Sequence, residues 1–236
     1  MRKLKNQEIV FQLFFAFLLL CRMCVCSIEW PAECLPDCHC KPLHHEDKEG
    51  VEMNCRDGEY SAIPNPRGDD KTPPGVISLN LANNSVSHLD LVLLTQWMGL
   101  QILNLSSNKV KSVAKSTEDF SPLESLKILD LSRNSLQVLH SMVFVGLPSL
   151  RILNVSHNQI HTVSEGAFVL PSLVELDISH NAMTEAPSHL LDTSPHIDVI
   201  AFSHNRISRL LGNIFIRLDS INQRKLTLSD SGREYS

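Results

Sequence analysis

One pattern of leucines and asparagines occurs six times in the sequence, and this repetition limits the folds that the chain can adopt. Between Leu150 and Val163 the pattern is L-x-x-L-x-L-x-x-N-x-L-x-x-L, with other aliphatic residues replacing some leucines. The asparagine recurs at intervals of 24, 26, 24, 23 and 24 residues, at Asn84, Asn108, Asn134, Asn158, Asn181 and Asn205. A period of this length predicts a solenoid, in which each repeat packs only against its neighbours.

Each repeat begins with a short alternating run such as Leu153-Asn154-Val155. Alternation places the two aliphatic side chains on one face and Asn154 on the other, so each repeat contributes one strand to a parallel sheet. The asparagine after the strand can bond backbone groups that the turn leaves buried and unpaired, which predicts a structural ladder of asparagines. A matched phenylalanine in three repeats predicts a packed spine behind the sheet, formed by Phe120, Phe144 and Phe168.

The period and the leucine spacing resemble those of extracellular leucine-rich repeat proteins over nearly all of the chain after residue 26. That class includes the ectodomains of Toll-type receptors, neuronal adhesion and guidance proteins, and small secreted repeat proteoglycans. The resemblance implies an α/β-type repeat solenoid, a horseshoe with a parallel concave sheet and an N-terminal disulfide cap. It also implies protein–protein recognition through the concave or lateral face, although fold alone does not settle function.

Residues 1–26 have the features of a secretory signal peptide. Positive charges at Arg2, Lys3 and Lys5 precede a nearly continuous apolar run from Ile9 to Leu20, and small residues precede Ser27. The run is shorter than the roughly 20 residues of an ordinary membrane span, and an uncleaved signal anchor is the alternative interpretation. We therefore expect a secreted or extracellular protein.

Four cysteines follow the signal segment, and their even number in an exported chain predicts two disulfides. A zinc site that combines them with His39, His44 or His45 is the competing hypothesis. The resemblance implies the pairs Cys34–Cys40 and Cys38–Cys55, within a cap that covers the open apolar end of the first repeat.

The chain is expected to divide into four parts: the signal peptide (1–26), the cysteine cap and a loop (27–75), six repeats (76–220), and a degenerate repeat with a polar tail (221–236). We predict strands at Val51–Cys55 in the cap and at Leu226–Leu228, and a solvated loop at His44–Asp47. A tail, a partner or a second copy is expected to cover the last coil, unless the chain is a shortened form of a longer receptor.

The concave face of the predicted sheet carries the candidate binding residues. An apolar stripe of three isoleucines borders two cations and lies beside two acidic residues: Ile102, Ile128, Ile152, Lys127, Arg151, Asp130 and Asp177. Such stripes can mark protein-binding sites, although aliphatic residues also simply suit a sheet. Three histidines share one slot of successive repeats and suggest pH-dependent binding, although Ser-His-Asn is also a frequent form of this repeat: His157, His180 and His204.

Two further kinds of motif point to an extracellular surface. Asn83, Asn104 and Asn154 fit the N-glycosylation sequon, and the last two lie on the predicted concave face. The Arg67-Gly68-Asp69 tripeptide lies in a Pro- and Gly-punctuated loop, where integrins read such a motif, but a match of three residues is weak.

Other functions find less support. The formal charge of −5 argues against nucleic acid as a partner, because phosphate binding needs a basic face. Neither a nucleophile elbow nor a zinc-protease helix nor a phosphate-binding glycine loop is present, so we expect no enzymatic activity and no cofactor. We predict recognition of an extracellular ligand or receptor in adhesion or innate immunity. The alternatives are a soluble decoy or truncated receptor isoform, and a matrix protein that self-associates through its uncapped last coil.

Overall fold

The computed structural model describes residues 34–46, 48–65, 75–97, 99–114, 122–187, 190–208 and 225–227. The predictions for residues 1–26, Arg67-Gly68-Asp69, Phe120 and the polar tail lie outside these residues. The described residues form strands and two single-turn helices, namely β1 (His39–His45), β2 (Lys48–Asn54), β3 (Val76–Asn80), β4 (His88–Asp90), α1 (Leu91–Leu94), β5 (Ile102–Asn104), β6 (Ser112–Ala114), β7 (Ile128–Asp130), β8 (Val138–Leu139), β9 (Ile152–Asn154), β10 (Thr162–Val163), β11 (Glu175–Asp177), α2 (Leu190–Thr193), β12 (Val199–Ala201) and β13 (Lys225–Thr227). None of the described helices has the length and apolar character that a membrane crossing requires.

A nine-stranded sheet organises the molecule, in the order β1-β2-β3-β5-β7-β9-β11-β12-β13. Strands β1 and β2 form an antiparallel hairpin, and every later neighbour in this sheet is parallel. The predicted parallel solenoid is therefore confirmed. Strand β13 begins at Lys225, one residue before the predicted Leu226, and pairs with β12.

The core lies behind this sheet, where the central residues of β5, β7, β9 and β11 are fully buried. Leu103, Leu129 and Leu153 occupy equivalent positions in β5, β7 and β9, and each has no exposed surface. The rings of Phe144 and Phe168 stack with centroids 6.1 Å apart, as the predicted spine requires. Two small parallel sheets, β4–β6 and β8–β10, follow the asparagine turns and were not predicted from the sequence.

The cap is a disulfide-bonded hairpin that extends the sheet. The cysteines form the pairs Cys34–Cys40 and Cys38–Cys55, with Cα atoms 5.9 and 4.2 Å apart. These are the pairs that the resemblance implied, and they replace the zinc hypothesis because bonded sulfurs are no longer thiolate ligands. Strand β2 runs from Lys48 to Asn54, longer than the predicted Val51–Cys55, and pairs with β3 of the first repeat.

Candidate functional site

The asparagine ladder joins each repeat to its neighbour through backbone groups. The Nδ2 of Asn158 donates to the carbonyls of Leu131, Val155 and Ser156 at 3.0, 3.0 and 3.1 Å, and its Oδ1 accepts the N–H of Leu136 at 3.0 Å. Leu131 and Leu136 belong to the preceding repeat. Asn84, Asn108, Asn134, Asn181 and Asn205 make equivalent bonds. This geometry uses both the donor and the acceptor of each amide, which points to a structural role.

A second polar row ends the strands of the sheet. In each member the side-chain oxygen accepts the backbone N–H of the residue two positions later, at 2.8 to 3.0 Å: Asn80, Asn104, Asp130, Asn154 and Asp177. This is the local turn that Asn and Asp favour. Sequence reasoning assigned Asp130 and Asp177 to partner binding and missed this second role, although the recurrence of Asn or Asp in one slot was a visible signal.

The isoleucine stripe is aligned across three neighbouring strands. The pairing registers place Ile102 opposite Ile128 and Ile128 opposite Ile152, and all three side chains are half-buried. Adjacent parallel strands lie about 4.8 Å apart, so the three side chains form a continuous apolar strip. Glu175 continues the column in β11 and is exposed.

The cap hairpin reaches this face at its tip, between β1 and β2. Glu46 accepts a hydrogen bond from the ammonium of Lys127, and its Oε1 lies 3.4 Å from Nη1 of Arg151. The prediction of a solvated loop at His44–Asp47 was wrong for His44 and His45, which belong to β1. His44 and Glu46 are exposed, as predicted, but Glu46 also makes ion pairs, and Asp47 lies outside the described residues. The hydrogen bond from Lys127 is the main reason that the pKa of Glu46 falls below its ordinary value.

Gln101 contacts the hairpin tip through His45 and was not singled out from the sequence. It precedes β5 as Lys127 precedes β7 and Arg151 precedes β9, but its side chain is only 1% exposed. Its Oε1 lies 2.9 Å from Nδ1 of His45, while its Nε2 has no acceptor among the described residues. Burying an unpaired charge is costly, so a neutral glutamine is favoured here over the cations that occupy the equivalent positions in the next two repeats.

The three histidines form a stacked row at the exposed turn before the ladder asparagines. The ring centroids of His157 and His180 lie 4.0 Å apart, and those of His180 and His204 lie 4.1 Å apart. All three residues have a left-handed backbone, with φ of 52°, 53° and 55°, a conformation in which histidine is enriched over most residues. Partial burial, and then the charge of His180, lower the pKa of His157. A pH-dependent function remains a prediction.

The three sequons differ in exposure. Asn83 is exposed in a left-handed conformation, with φ of 58°, and its amide donates to Asp57. Asn104 and Asn154 are half-buried beside the isoleucine stripe, and each uses its Oδ1 in the strand-ending turn. Their glycosylation remains a prediction, and a glycan on Asn104 or Asn154 would cover part of the stripe.

Comparison with known proteins agrees with this architecture. A family model described as "Leucine rich repeat" matches residues 74–136, 100–160 and 124–183. The chain is a leucine-rich repeat protein. This repeat protein is similar to lumican of Rattus norvegicus, with 29% identity over 108 residues, which are 46% of this chain and 29% of lumican.

A solved structure shares the fold of the repeat protein. The crystal structure of a TLR13–ssRNA13 complex matches with 26% identity and a TM-score of 0.58, over 71% of this chain and 23% of the TLR13 chain. The chain therefore spans less than a third of the length of either relative. TLR13 is in complex with RNA in that structure, so the fold itself does not exclude a nucleic-acid partner. The expectation that this chain does not bind nucleic acid therefore rests on its charge alone.

Proposed function

We propose that the protein recognises an extracellular protein partner through the concave face of its sheet. The observation that carries this proposal is the aligned isoleucine stripe of β5, β7 and β9, with Lys127 and Arg151 at its border. A half-exposed apolar strip with a charged margin has the anatomy of a protein-binding patch, in which an apolar centre is surrounded by a polar rim.

The charges around the stripe support a protein over a polyanionic partner. Lys127 and Arg151 are balanced by Glu46, which is paired with both, and by three further carboxylates on neighbouring strands: Asp130, Glu175 and Asp177. A nucleic acid would meet these acidic groups instead of the continuous basic surface that phosphate binding requires. Mixed charge beside an apolar strip is complementary to a partner protein whose surface carries both charged and apolar groups.

The cap supports an extracellular setting for this recognition. Two disulfides within 22 residues of chain are typical of proteins that mature in an oxidising compartment. They agree with the signal peptide that we propose for residues 1–26. Binding at the cell surface or in the extracellular space, in adhesion or receptor signalling, is therefore the role that we infer.

A binding screen with a matched pair of variants tests the proposal. Residues 27–236 would be secreted from animal cells, shown to be monomeric by light scattering, and screened against an array of extracellular ectodomains. Ile128→Gln should weaken a saturable interaction roughly tenfold, because central apolar residues carry much of the energy of an interface. Val169→Gln is the control, since Val169 is 37% exposed but lies outside the nine-stranded sheet.

The same screen can overturn the proposal. Equal affinities for Ile128→Gln and the unmodified protein, with both folded by circular dichroism, would move recognition to another face. Concentration-dependent dimerisation without ectodomain binding would instead favour an assembly role. Among the described strands, β13 is the last in the sheet and pairs with β12 alone, so its outer edge is where such assembly would begin.

A further inference from the structure

We propose that Lys127 and Arg151 form a carboxylate-binding subsite for an acidic residue of the partner, and that Glu46 of the cap occupies this subsite in the free protein. The inference rests on the proposed concave-face recognition and adds the chemistry of the partner and a means of control. In this arrangement the cap hairpin is a strap that the partner must displace.

The first support is the geometry of the Glu46 carboxylate. One oxygen accepts from Lys127 and the other lies 3.4 Å from Nη1 of Arg151, so a single carboxylate bridges cations of two adjacent repeats. These partners lie 81 and 105 residues further along the chain. A carboxylate is thus already present between the two cations, which shows directly that their spacing accommodates one.

The second support is the contrast between β2, which packs tightly from Gly50 onward, and the open tip of the hairpin. A Cβ added at Gly50 would come within 2.7 Å of the Ile77 side chain and 2.8 Å of the Gly75 carbonyl, so β2 packs closely against the first repeat. At the tip, the side chains of Glu46, Lys127 and Arg151 are 41%, 26% and 55% exposed. Exposed ion pairs contribute little to stability, so a partner that also breaks the His45–Gln101 hydrogen bond can displace the tip while β2 stays packed from Gly50 onward.

The third support is a cavity beside the tip that combines apolar and charged walls. It has a volume of about 240 Å³, and its lining includes Ile128, Ile152, Lys127 and Arg151. A partner side chain in this cavity would contact the isoleucines while a neighbouring carboxylate meets the cations. Glu175 also lines the cavity and disfavours a densely anionic ligand, so an acidic residue next to an aliphatic one fits best.

Two short peptides test the subsite. The probes are N-acetyl-Ile-Glu-Leu-amide and its Gln analogue, titrated at pH 7 while the NMR signals of the Ile128 and Ile152 methyl groups are followed. A tethered carboxylate competes at an effective concentration in the millimolar range and lowers the apparent affinity by the fraction of time that it occupies the site. Glu46→Gln should therefore bind the Glu peptide roughly fivefold more tightly than the unmodified protein does. The two proteins should bind the Gln peptide with the same affinity.

Matched variants separate the subsite from the strap. Lys127→Gln combined with Arg151→Gln should remove the preference for the Glu peptide, whereas Lys48→Gln, on the exposed surface of β2, should keep it. An unchanged preference in the double variant would overturn the subsite. If Glu46→Gln and the unmodified protein bind the Glu peptide with equal affinity, Glu46 does not occupy the subsite in the free protein. Tighter binding of a heparin hexasaccharide than of the Glu peptide, lost in the double variant, would replace the acidic protein partner by a sulfated glycan.

These outcomes are independent of those for the proposed function. If an ectodomain binds and Ile128→Gln weakens it while the peptides show no preference, concave-face recognition stands and the subsite does not. If the peptides behave as expected but no ectodomain depends on Ile128, the subsite stands without the proposed recognition. A circular dichroism spectrum of each variant confirms that the sheet is intact before either comparison.

Discussion

The cap and the repeats are stabilised in different ways, although they share one sheet. In the repeats each contact recurs at the same slot: the bonds of Asn158 to the preceding repeat are made again by Asn134 and Asn181. In the cap the two disulfides and the ion pairs of Glu46 with two later repeats each occur once. The repeats therefore spread their stability over many equivalent contacts, whereas the cap depends mainly on its two disulfides, and the ion pairs of Glu46 add little.

The loss of one contact should therefore reduce stability to different extents in the cap and in the repeats. A repeat interacts with its nearest neighbours, so a defect there is shared with the repeats on either side. The cap covers the first repeat, whose residues Leu79 and Leu81 have no exposed surface. If the cap opened, this apolar end and the edge of β3 would meet water, so damage to the cap should cost more than equal damage in a repeat.

The largest expected effect is that of removing the Cys38–Cys55 disulfide. Replacing both cysteines by serine opens a connection that spans 17 residues, and it also places two hydroxyls where Cys38 and Cys55 are now buried. Loss of such a disulfide from a small secreted domain costs about 2–5 kcal/mol. We expect poor secretion and a much lower thermal midpoint, measured by differential scanning fluorimetry.

The second disulfide serves as the control for this prediction. The Cys34–Cys40 bond spans only 6 residues, and both cysteines are half-buried. Loop-closure entropy grows with loop length, so replacing this pair by serines should cost about 1 kcal/mol less. Equal midpoints for the two double variants would show that the cap is not held mainly by its longer connection.

A ladder asparagine is expected to have the next largest effect. Asn158→Ala removes three donated bonds and one accepted bond at a site that is 9% exposed, and leaves buried carbonyls without a partner. An unsatisfied buried backbone group costs about 1–3 kcal/mol. Urea unfolding followed by far-ultraviolet circular dichroism should show a correspondingly lower midpoint.

The neighbouring residue tests whether the loss is specific to the ladder. Gln159 is exposed, and its only side-chain bond to a described residue is a 3.4 Å contact with Gln137. Gln159→Ala should therefore change the free energy of unfolding by less than about 0.5 kcal/mol. An Asn158→Ala midpoint that matches that of Gln159→Ala would refute the structural role of the ladder.

The difference between the two regions also explains what sequence reasoning could predict. The sheet register and the positions of Asn158 and its equivalents follow from the template, because each repeat faces a copy of itself. Glu46 has no template: whether it contacts Lys127 depends on how far an antiparallel hairpin projects over later repeats, and no local pattern encodes that distance. The turn-forming role of Asp130 and Asp177 was missed for another reason. An aspartate on the strand face can either contact a partner or accept a backbone N–H of the turn, and the sequence does not distinguish the two.

The histidine row should make the stability of the repeats sensitive to mild acid. The pKa of His157 lies below its ordinary value of 6.5, because of burial and then of the charges of His180 and Arg133, while Asp177 opposes the shift. Well above pH 6.5 both the folded and the unfolded chain carry a neutral imidazole, so His157 does not reduce stability there. As the pH falls from 6.5 toward the lowered pKa, the unfolded chain binds the proton first and stability is lost.

Comparison of two pH values isolates this contribution. The urea midpoint of the unmodified protein should fall more between pH 7.5 and pH 5.5 than that of His157→Gln, while the two proteins should agree more closely at pH 7.5. His161→Gln is a suitable control, because His161 is exposed and lies outside the stacked row. Parallel pH dependence in all three proteins would exclude the row as the acid-sensitive element.

The smallest expected effect on stability is that of Glu46→Gln, and it shows where the cap stops being structural. The ion pairs of Glu46 are exposed to solvent, so at pH 7 its urea midpoint should equal that of Glu49→Gln, an exposed residue of β2. Amide hydrogen exchange at residues 43–46 should nevertheless become faster in Glu46→Gln alone, because the tip then keeps the His45–Gln101 hydrogen bond but loses its ion pairs. The pKa of Glu46 is lowered, so in the unmodified protein the ion pairs are present above about pH 4.5 and are lost as the pH falls through the pKa of the folded state. A clear drop in the midpoint of Glu46→Gln would contradict this: the tip would then belong to the structural part of the cap, and a partner could not displace it without unfolding the hairpin.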